Sequence, residues 1–555
     1  MPDRLSAAAW ALRRVAASPE IRRAEAAWML GLTAEWTWLV SLAVYAYAAG
    51  GVAMVGVLGL VRTLPAAVLA PAVTVLADRW PRHRLLVAVH TARGGLIAAA
   101  AAVALADGPP AIVLGIAVLE GLLAVLNRPS HMALMPSLAR SPDDLVAANV
   151  ASSIVEGGGI LLGPVLGGLL VATGATWSTF AVPAATFGLA AAAVLRIRPP
   201  AAAGRPVARP GPREMMLGGL RVVRHHPHAG LILGLFGMQT LVRGLLSVLL
   251  VVVAIEVLRL GEEGVGFLSA AIGAGGLAGA LFAMALVGRA RMAPPFLLGL
   301  FLWGLPILVI GLVPLAPVAF GALAVLGAGN ATLDIAGFTL LQRLVPNAAR
   351  GRIFGMLEAI VMLTVGAGAG LAPVLVAVAG PTGALIATGL ILPLAGLAAW
   401  SWLRTADERA VIPARELALL RGVPMFRQLP MTVLEDVAQA LEPCRYAAGS
   451  AVVTEGEAGE WFYVVAEGTI VITRGGRTLH RQGAGAWFGE IALLNDVPRT
   501  ATVTAEDDVA LLALHRDAFL AAVTEDRLSR EAADDVVRER LAASLADAPG
   551  PTPPR

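Results

Sequence analysis

Near the end of the chain, FGEIALLNDVPRTATV (488–503) brings together residue types suited to an anionic ligand. Gly489 lets the backbone approach a ligand closely and opens a short helical turn, Glu490-Ile491-Ala492-Leu493-Leu494. The free N–H groups at the start of such a turn favour a phosphate. Arg499, held beyond Pro498, can grip the same phosphate in a charge-assisted, two-pronged contact. Glu490 beside that phosphate is repelled unless it faces a hydroxyl, which makes it an acceptor for a ribose OH. A helix start, one arginine and one glutamate suit a sugar fused to a single phosphate.

A second set of polar residues stands inside long apolar runs: Glu35, Glu120, Arg243, Asn330 and Asp334. Ionisable groups are costly in a bilayer, so they mark a site for substrate or protons. A structural reading competes with this. Arg93 or Arg62 paired with Glu120 or Glu156 would stabilise a helix bundle without touching substrate. His225, His226 and His228 form one local cluster without cysteine or acidic partners, which suits an interfacial helix cap better than a metal. No metal is expected.

The elements that must position these residues are apolar helices. Of 555 residues, 57% are hydrophobic and 15% charged, and the mean hydropathy is +0.75. An ordinary soluble protein carries about 25% charged residues, so most of this chain meets lipid. Runs of about 20 apolar residues recur, each long enough to span the hydrocarbon core. About twelve are recognisable, with turn-like breaks at Gly50-Gly51, Gly108-Pro109-Pro110, Gly174-Ala175 and Gly380-Pro381. All 42 basic residues are arginine and the net charge is +3. The lone cysteine, Cys444, leaves no intrachain disulfide.

Arginines gather at the N-terminus, at 79–84, at Arg128, in the 196–224 loop, at Arg289 and Arg291, and at Arg343, Arg350 and Arg352. All these positions fall on one side, which puts both termini in the cytoplasm. Residues 1–27 lack a compact apolar core with a cleavage site and read as a cytoplasmic amphipathic segment. The expected organisation is 28–196 for spans one to six, 197–228 for a Pro/Arg-rich linker and 229–403 for spans seven to twelve. A connecting segment at 404–421 then leads to a soluble domain at 422–535 and a helix end with a Pro-rich tail at 536–555. The fold class is therefore an all-α membrane bundle (6+6) followed by a β-roll with flanking helices, the latter read from short apolar strands broken by glycines.

Six plus six spans around a long cytoplasmic loop resemble the major facilitator superfamily, over residues 25–403. The loop with Asp78, Arg79 and Arg82 is similar to that family's gating loop, although Thr74 and Pro81 stand where glycines are usual. Gly159, Gly163, Pro164, Gly167 and Gly168 resemble the glycine-proline motif of its proton-coupled exporters. Small residues at four-residue spacing let two helices approach closely, and a proline can bend the span. The segments Asn127–Pro136 and Gln342–Gly355 resemble an exporter branch of the family. The resemblance implies that spans one, four, seven and ten line a central cavity, so that Glu35, Glu120, Arg243, Asn330 and Asp334 face it. The family's usual arginine motif in the fourth span is missing, with Glu120 in that region.

The opening stretch resembles the phosphate-binding cassette of cyclic nucleotide-binding domains, and Gly456, Gly459, Phe462, Tyr463 and Gly468 match their β-roll. That resemblance implies ribose and phosphate contacts at Gly489, Glu490, Ile491 and Ala492, a phosphate contact at Arg499, and Thr500 and Ala501 near the base. The ligand is cAMP or cGMP, and Thr500 does not choose between them. No phosphate-binding Gly-x-x-x-x-Gly-Lys loop exists in a chain without lysine, so an ATP-driven pump encoded in this chain alone is excluded. No helix-turn-helix follows the roll, so no nucleic-acid partner is expected.

The expected function is that of a secondary transporter in the cytoplasmic membrane and not an enzyme. It moves a small molecule outward in exchange for protons and is regulated by a cyclic nucleotide. The alternative is a non-transporting membrane sensor that reports nucleotide or ligand status to partners.

Overall fold

The computed structural model describes residues 2–77, 80–139, 141–197, 223–224, 226–283, 289, 291–345, 347–409, 414–427, 429 and 431–524, with 532–533, 535–536 and 538. Asp78, Arg79, His225, Pro346, Pro413 and most of the 197–228 linker and the 536–555 tail lie outside them. The chain divides into two compact units, Met1–Ala410 and Val411–Arg555.

The first unit is helical: α1 (Pro2–Ala17), α2 (Pro19–Ala77), α3 (Arg82–Leu105), α4 (Pro110–Ala124), α5 (Asn127–Leu138), α6 (Pro142–Ala172) and α7 (Thr176–Leu195). The second half follows with α8 (Pro227–Val252, continued by a π-turn Val253–Val257), α9 (Gly264–Ala283), α10 (Ala293–Leu312), α11 (Ala316–Leu344), α12 (Asn347–Ala398) and α13 (Trp400–Arg409). Helix α2 bends at Gly50 and Gly51, and α12 at Gly380, whose φ of 69° a side chain disfavours. With each half of these two counted separately, α4 and α5 taken as one, and the shorter α9 included, the described residues supply twelve apolar spans.

The fourth span is broken. Pro129 has no N–H for the carbonyl of Val125, and the helix interrupts at Val125–Leu126 before resuming as α5. The first span starts earlier than its apolar run suggests. Its helix already begins at Pro19, and α1 packs Ala11 and Val15 inward instead of lying free on a surface. Arg14 Nε donates to Asp144 Oδ1 at 2.7 Å, which ties α1 to α6.

Four intramembrane prolines share one arrangement. Pro164, Pro306, Pro373 and Pro393 leave the carbonyls of Ile160, Leu302, Ala369 and Gly389 without an intrahelical donor. A glycine of a neighbouring helix sits at each: Gly273, Gly329, Gly56 and Gly304. A Cβ there would stand 2.9, 3.2, 2.9 and 2.6 Å from the respective oxygens.

The second unit begins with α14 (Ala414–Gly422) and α15 (Met431–Gln439) and then forms two antiparallel four-stranded sheets. The strands are β1 (Glu442–Tyr446), β2 (Ala451–Val453), β3 (Trp461–Glu467), β4 (Ile470–Arg474), β5 (Arg477–Gln482), β6 (Trp487–Phe488), β7 (Thr502–Ala505) and β8 (Val509–His515). One sheet has the order β1-β8-β3-β6 and the other β2-β7-β4-β5.

Alternation along β3 and β8 builds two cores. Tyr463, Val465, Leu511 and Ala513 face the opposite sheet, while Phe462, Val464, Leu512 and Leu514 face the flanking helices. Phe426 and Phe519, the latter on α17 (Arg516–Thr524), close the helical side against Phe462. Between β6 and β7 the chain crosses through α16 (Glu490–Asn495).

Candidate functional site

In the membrane unit, three helices converge on one buried ion network. Arg93 of α3 and Glu120 of α4 are both fully buried. Arg93 Nε donates to Glu120 Oε1 at 2.8 Å, and its Nη2 lies 3.1 Å from Glu35 Oε2 on α2. The other oxygen of Glu120 accepts from Arg62 Nη2 at 3.1 Å and from Trp38 Nε1 at 3.2 Å. The Phe187 ring lies 4.4 Å from the Arg93 guanidinium. Two arginines and two glutamates cancel in charge, which is how a bilayer interior tolerates them. Of the pairings open at the level of sequence, Glu120 takes both Arg93 and Arg62. Glu156 does not join them: it pairs with Arg128 at 2.7 Å.

Asn330 and Asp334 form a second group on α11. Asn330 Nδ2 donates to Asp334 Oδ2 at 2.8 Å, and Trp303 Nε1 donates to Asn330 Oδ1 at 3.2 Å. Arg243 on α8 is exposed, and its charge acts on Asp334. Of the five residues expected to share a cavity, Glu35 and Glu120 are thus joined through Arg93, and Asn330 and Asp334 by a hydrogen bond. Of the expected gating residues, Arg82 opens α3, and Asp78 and Arg79 lie outside the described residues.

The glycine motif on α6 packs on two sides. Gly159, Gly163 and Gly167 meet Leu32, Trp36 and Val40 of α2, one helical turn apart, and Thr37 Oγ1 donates to the Gly163 carbonyl at 2.9 Å. Gly168 faces the second half instead, against Glu263 and Gly266 at the start of α9. A further contact between the halves, Tyr47 Oη to Glu256 Oε1 at 2.7 Å, joins the arginine-poor ends of the first and seventh spans.

In the soluble unit, Gly489 takes φ 98° and ψ −4° and caps α16, a conformation that a side chain would strain. A Cβ there would also stand 2.7 Å from Arg499 Nη1 and 2.9 Å from the Trp461 carbonyl. Arg499 comes back across the cassette and is almost fully buried. It donates through Nη1 to the Gly489 carbonyl at 3.1 Å and through Nη2 to the Trp461 carbonyl at 2.7 Å. The Arg499 backbone is held as well: its N–H donates to Glu457 O and its carbonyl accepts from Gly456 N–H, both at 2.8 Å.

Burial lowers the Arg499 pKa from its ordinary value, opposed by the nearby Tyr463, Glu490 and Glu457. Glu490 is buried beside it, Ile491 is half-buried and Ala492 is buried. Gly459 sits over the pair, where a Cβ would lie 2.8 Å from that of Ala492 and 3.3 Å from Arg499 Cζ. Thr500 and Ala501 are half-buried and lead into β7. The structure therefore brings Gly489, Glu490, Ala492 and Arg499 together around one turn.

The model of the Major Facilitator Superfamily matches residues 26–320 and 240–448, together well over half the chain. The chain belongs to the Major Facilitator Superfamily. The model of the cyclic nucleotide-binding domain matches residues 443–526, the roll that holds Arg499. This superfamily member is thus a multi-pass membrane protein fused to a cyclic nucleotide-binding domain.

Among curated proteins, a cAMP-dependent protein kinase regulatory subunit of Yarrowia lipolytica is 40% identical over 102 residues, 18% of this chain and 27% of that protein. A cyclic nucleotide-gated potassium channel of Rhizobium etli is 35% identical over 101 residues, 18% of this chain and 28% of the channel. The chain thus spans little more than a quarter of the length of these relatives. Among solved structures, the regulatory domain of Toxoplasma gondii PKA with cAMP is 26% identical, with a TM-score of 0.22, covering 26% of this chain and 56% of that one. A score that low carries no argument about the fold.

Proposed function

We propose that this protein is a proton-coupled exporter of a small organic molecule, regulated by cAMP or cGMP at its C-terminal domain. On this reading it sits in the cell membrane with both termini in the cytoplasm, as the one-sided placement of its arginines supports. The observation that carries the regulatory half is the Arg499 fork beside Gly489 and Glu490, inside the segment matched to cyclic nucleotide-binding domains. Gly489, Glu490, Ile491 and Ala492 would take ribose and phosphate, Arg499 the phosphate, and Thr500 and Ala501 the base edge. Membership of the superfamily and the α6 glycine motif support the transport half.

For the proton, Glu35 and Asp334 are better placed than Glu120. A carboxylate clasped by two guanidiniums and an indole N–H gives little room for proton exchange. Glu35 has one ion pair and a partly exposed side chain, and Asp334 has only an amide partner among the described residues.

A thermal-shift screen of the purified protein against cAMP, cGMP and candidate substrates tests the reading. Hits are then assayed for flux in vesicles under a proton gradient. Binding of neither nucleotide would remove the regulatory half. Nucleotide binding without flux of any hit would leave a membrane sensor.

A further inference from the structure

Toward the arginine-rich side of the first half lies a second polar cluster that the transport reading leaves unused. Glu25 and Trp28 on α2, His90 on α3, Asn127 and His131 on α5 and Ser152 on α6 are each at most 4% exposed. Ser152 Oγ donates to Glu25 Oε1 at 2.5 Å, and His131 Nε2 lies 3.8 Å from the same oxygen. The His131 ring stacks on Trp28, with centroids 4.5 Å apart and planes at 9°. Among the described residues, Glu25 Oε2, Trp28 Nε1, His90 Nδ1 and both amide atoms of Asn127 are buried without a hydrogen-bond partner. Buried polar atoms are ordinarily paired, so five such atoms in one cluster are a concentration that needs a cause. The narrow cavity lined by Trp28, His90, Asn127 and His131 has no room for an organic molecule.

The cluster continues the ion network along the same helices. On α2, Glu25, Trp28 and Glu35 follow at helical spacing, on α3 His90 precedes Arg93 by one turn, and the broken fourth span carries Glu120 before the interruption and Asn127 and His131 after it. The groups facing Glu25 can be named element by element. Helix α5 supplies His131 and, acting on that ring, Arg128; α3 supplies His90, itself under the influence of Arg93; α6 supplies Ser152; and α7 lines the cavity with Val194. On its own helix, Arg22 and Arg23 are turned to the Ala16 carbonyl and to Glu20 and the Arg196 carbonyl. A buried carboxylate needs a counter-charge. Among the described residues no guanidinium lies within ion-pair distance of Glu25.

We propose that Glu25 and His131 form a proton-binding site, distinct from the Glu35–Arg93–Glu120 network and placed between that network and the arginine-rich side. One hydronium proton converts the Glu25 carboxylate to the acid and leaves water, and the proton is passed to His131 Nε2 by way of Ser152 Oγ, 3.4 Å from that nitrogen, or released again. Ser152 fixes the carboxyl, and the Trp28 stack fixes the imidazole. The inference deepens the proton-coupled reading but does not need flux to be tested.

Infrared difference spectra of the purified full-length chain, taken between about pH 4 and about pH 9, cover the carboxyl and imidazole range. A titrating protonated-carboxyl band is expected, lost in Glu25→Gln, which keeps the size of the side chain. In Ser152→Ala the band moves to higher frequency, because the carboxyl loses a hydrogen bond. If Glu25→Gln does not fold, the shift in Ser152→Ala decides. No titrating band, a band that survives Glu25→Gln, or one that Ser152→Ala leaves in place would each overturn the proposal. Loss of proton-driven flux with this band intact would count against the transporter reading alone.

Discussion

Arg499 holds the carbonyl of Gly489 at 3.1 Å while its other terminal nitrogen holds Trp461 at 2.7 Å. One side chain thus ties the cassette to strand β3. On the proposed reading, an arginine held in this way needs less ordering on binding than a free one.

Arg499→Ala is expected to weaken cyclic-nucleotide binding by about ten- to a hundredfold, the weight of a charged hydrogen-bonded contact of roughly 1.5–3 kcal/mol. Arg499→Lys should recover only part of it, because an ammonium cannot replace a two-pronged contact. Calorimetry on the full chain measures both, and unchanged affinity in the alanine variant would move the site elsewhere.

Glu35 and Glu120 should separate in their effects. Glu120→Gln leaves the buried Arg93 and the half-buried Arg62 short of a charge, and removing one partner of a buried pair costs about 3–5 kcal/mol. Glu35→Gln, partly exposed and bound by one arginine, should stay folded and lose proton-driven flux. Chemical denaturation paired with vesicle assays distinguishes them. Equal stability of the two variants would contradict the geometry.

Gly163→Ala places a methyl 2.5 Å from the Cβ of Trp36 and 2.9 Å from the Thr33 carbonyl, so α6 and α2 must part. Overpacking of this kind costs about 1–3 kcal/mol. Gly188→Ala on α7 meets nothing within 4 Å and serves as the control. A thermal shift in both, or in neither, would speak against close packing at the motif.

If the nucleotide regulates transport, it must bind the transport states unequally. Saturating substrate should then change nucleotide affinity by the factor that nucleotide changes substrate affinity. Deletion of 411–555 should abolish the nucleotide's effect on flux. Identical nucleotide affinities with and without substrate would make the domain a passenger.

Tyr463 supplies a pH dependence in the soluble unit. Burial, with the neighbouring Tyr446, pushes its pKa up to about 12 from 10.0. A raised value means that the stabilisation is complete below about pH 10 and disappears as pH climbs through about 12. Alkaline unfolding of the full chain should therefore shift between wild type and Tyr463→Phe. Tyrosinate absorbance in a chain of four tyrosines reports the titration.

The cassette was legible in the sequence because its parts lie within a dozen residues: the chemistry of Gly489, Glu490 and Arg499 is local, and only their convergence needed the fold. The α6 motif was legible for the same reason, since four-residue spacing fixes one helix face. The partners of Glu120 were not decidable. Arg62 and Arg93 come from two other helices, and the choice between Glu120 and Glu156 depends on how deep each helix sits. The cluster of Glu25, His90, His131 and Ser152 gave no signal at all, because each residue is alone on its helix. The break in the fourth span had a cause in plain view, Pro129, whose missing N–H falls on Val125.

Two of the four prolines seated against glycines lie at the junction of the two halves. Pro164 with Gly273 and Pro373 with Gly56 are contacts between the halves, and each covers a backbone carbonyl that its own helix leaves unbonded. Drawn apart in hydrocarbon, such an oxygen would stay without a donor. Drawn apart in water, it is hydrated at once. If the protein works by parting its halves, these two oxygens are places where water entering the gap gains a hydrogen bond that lipid cannot offer.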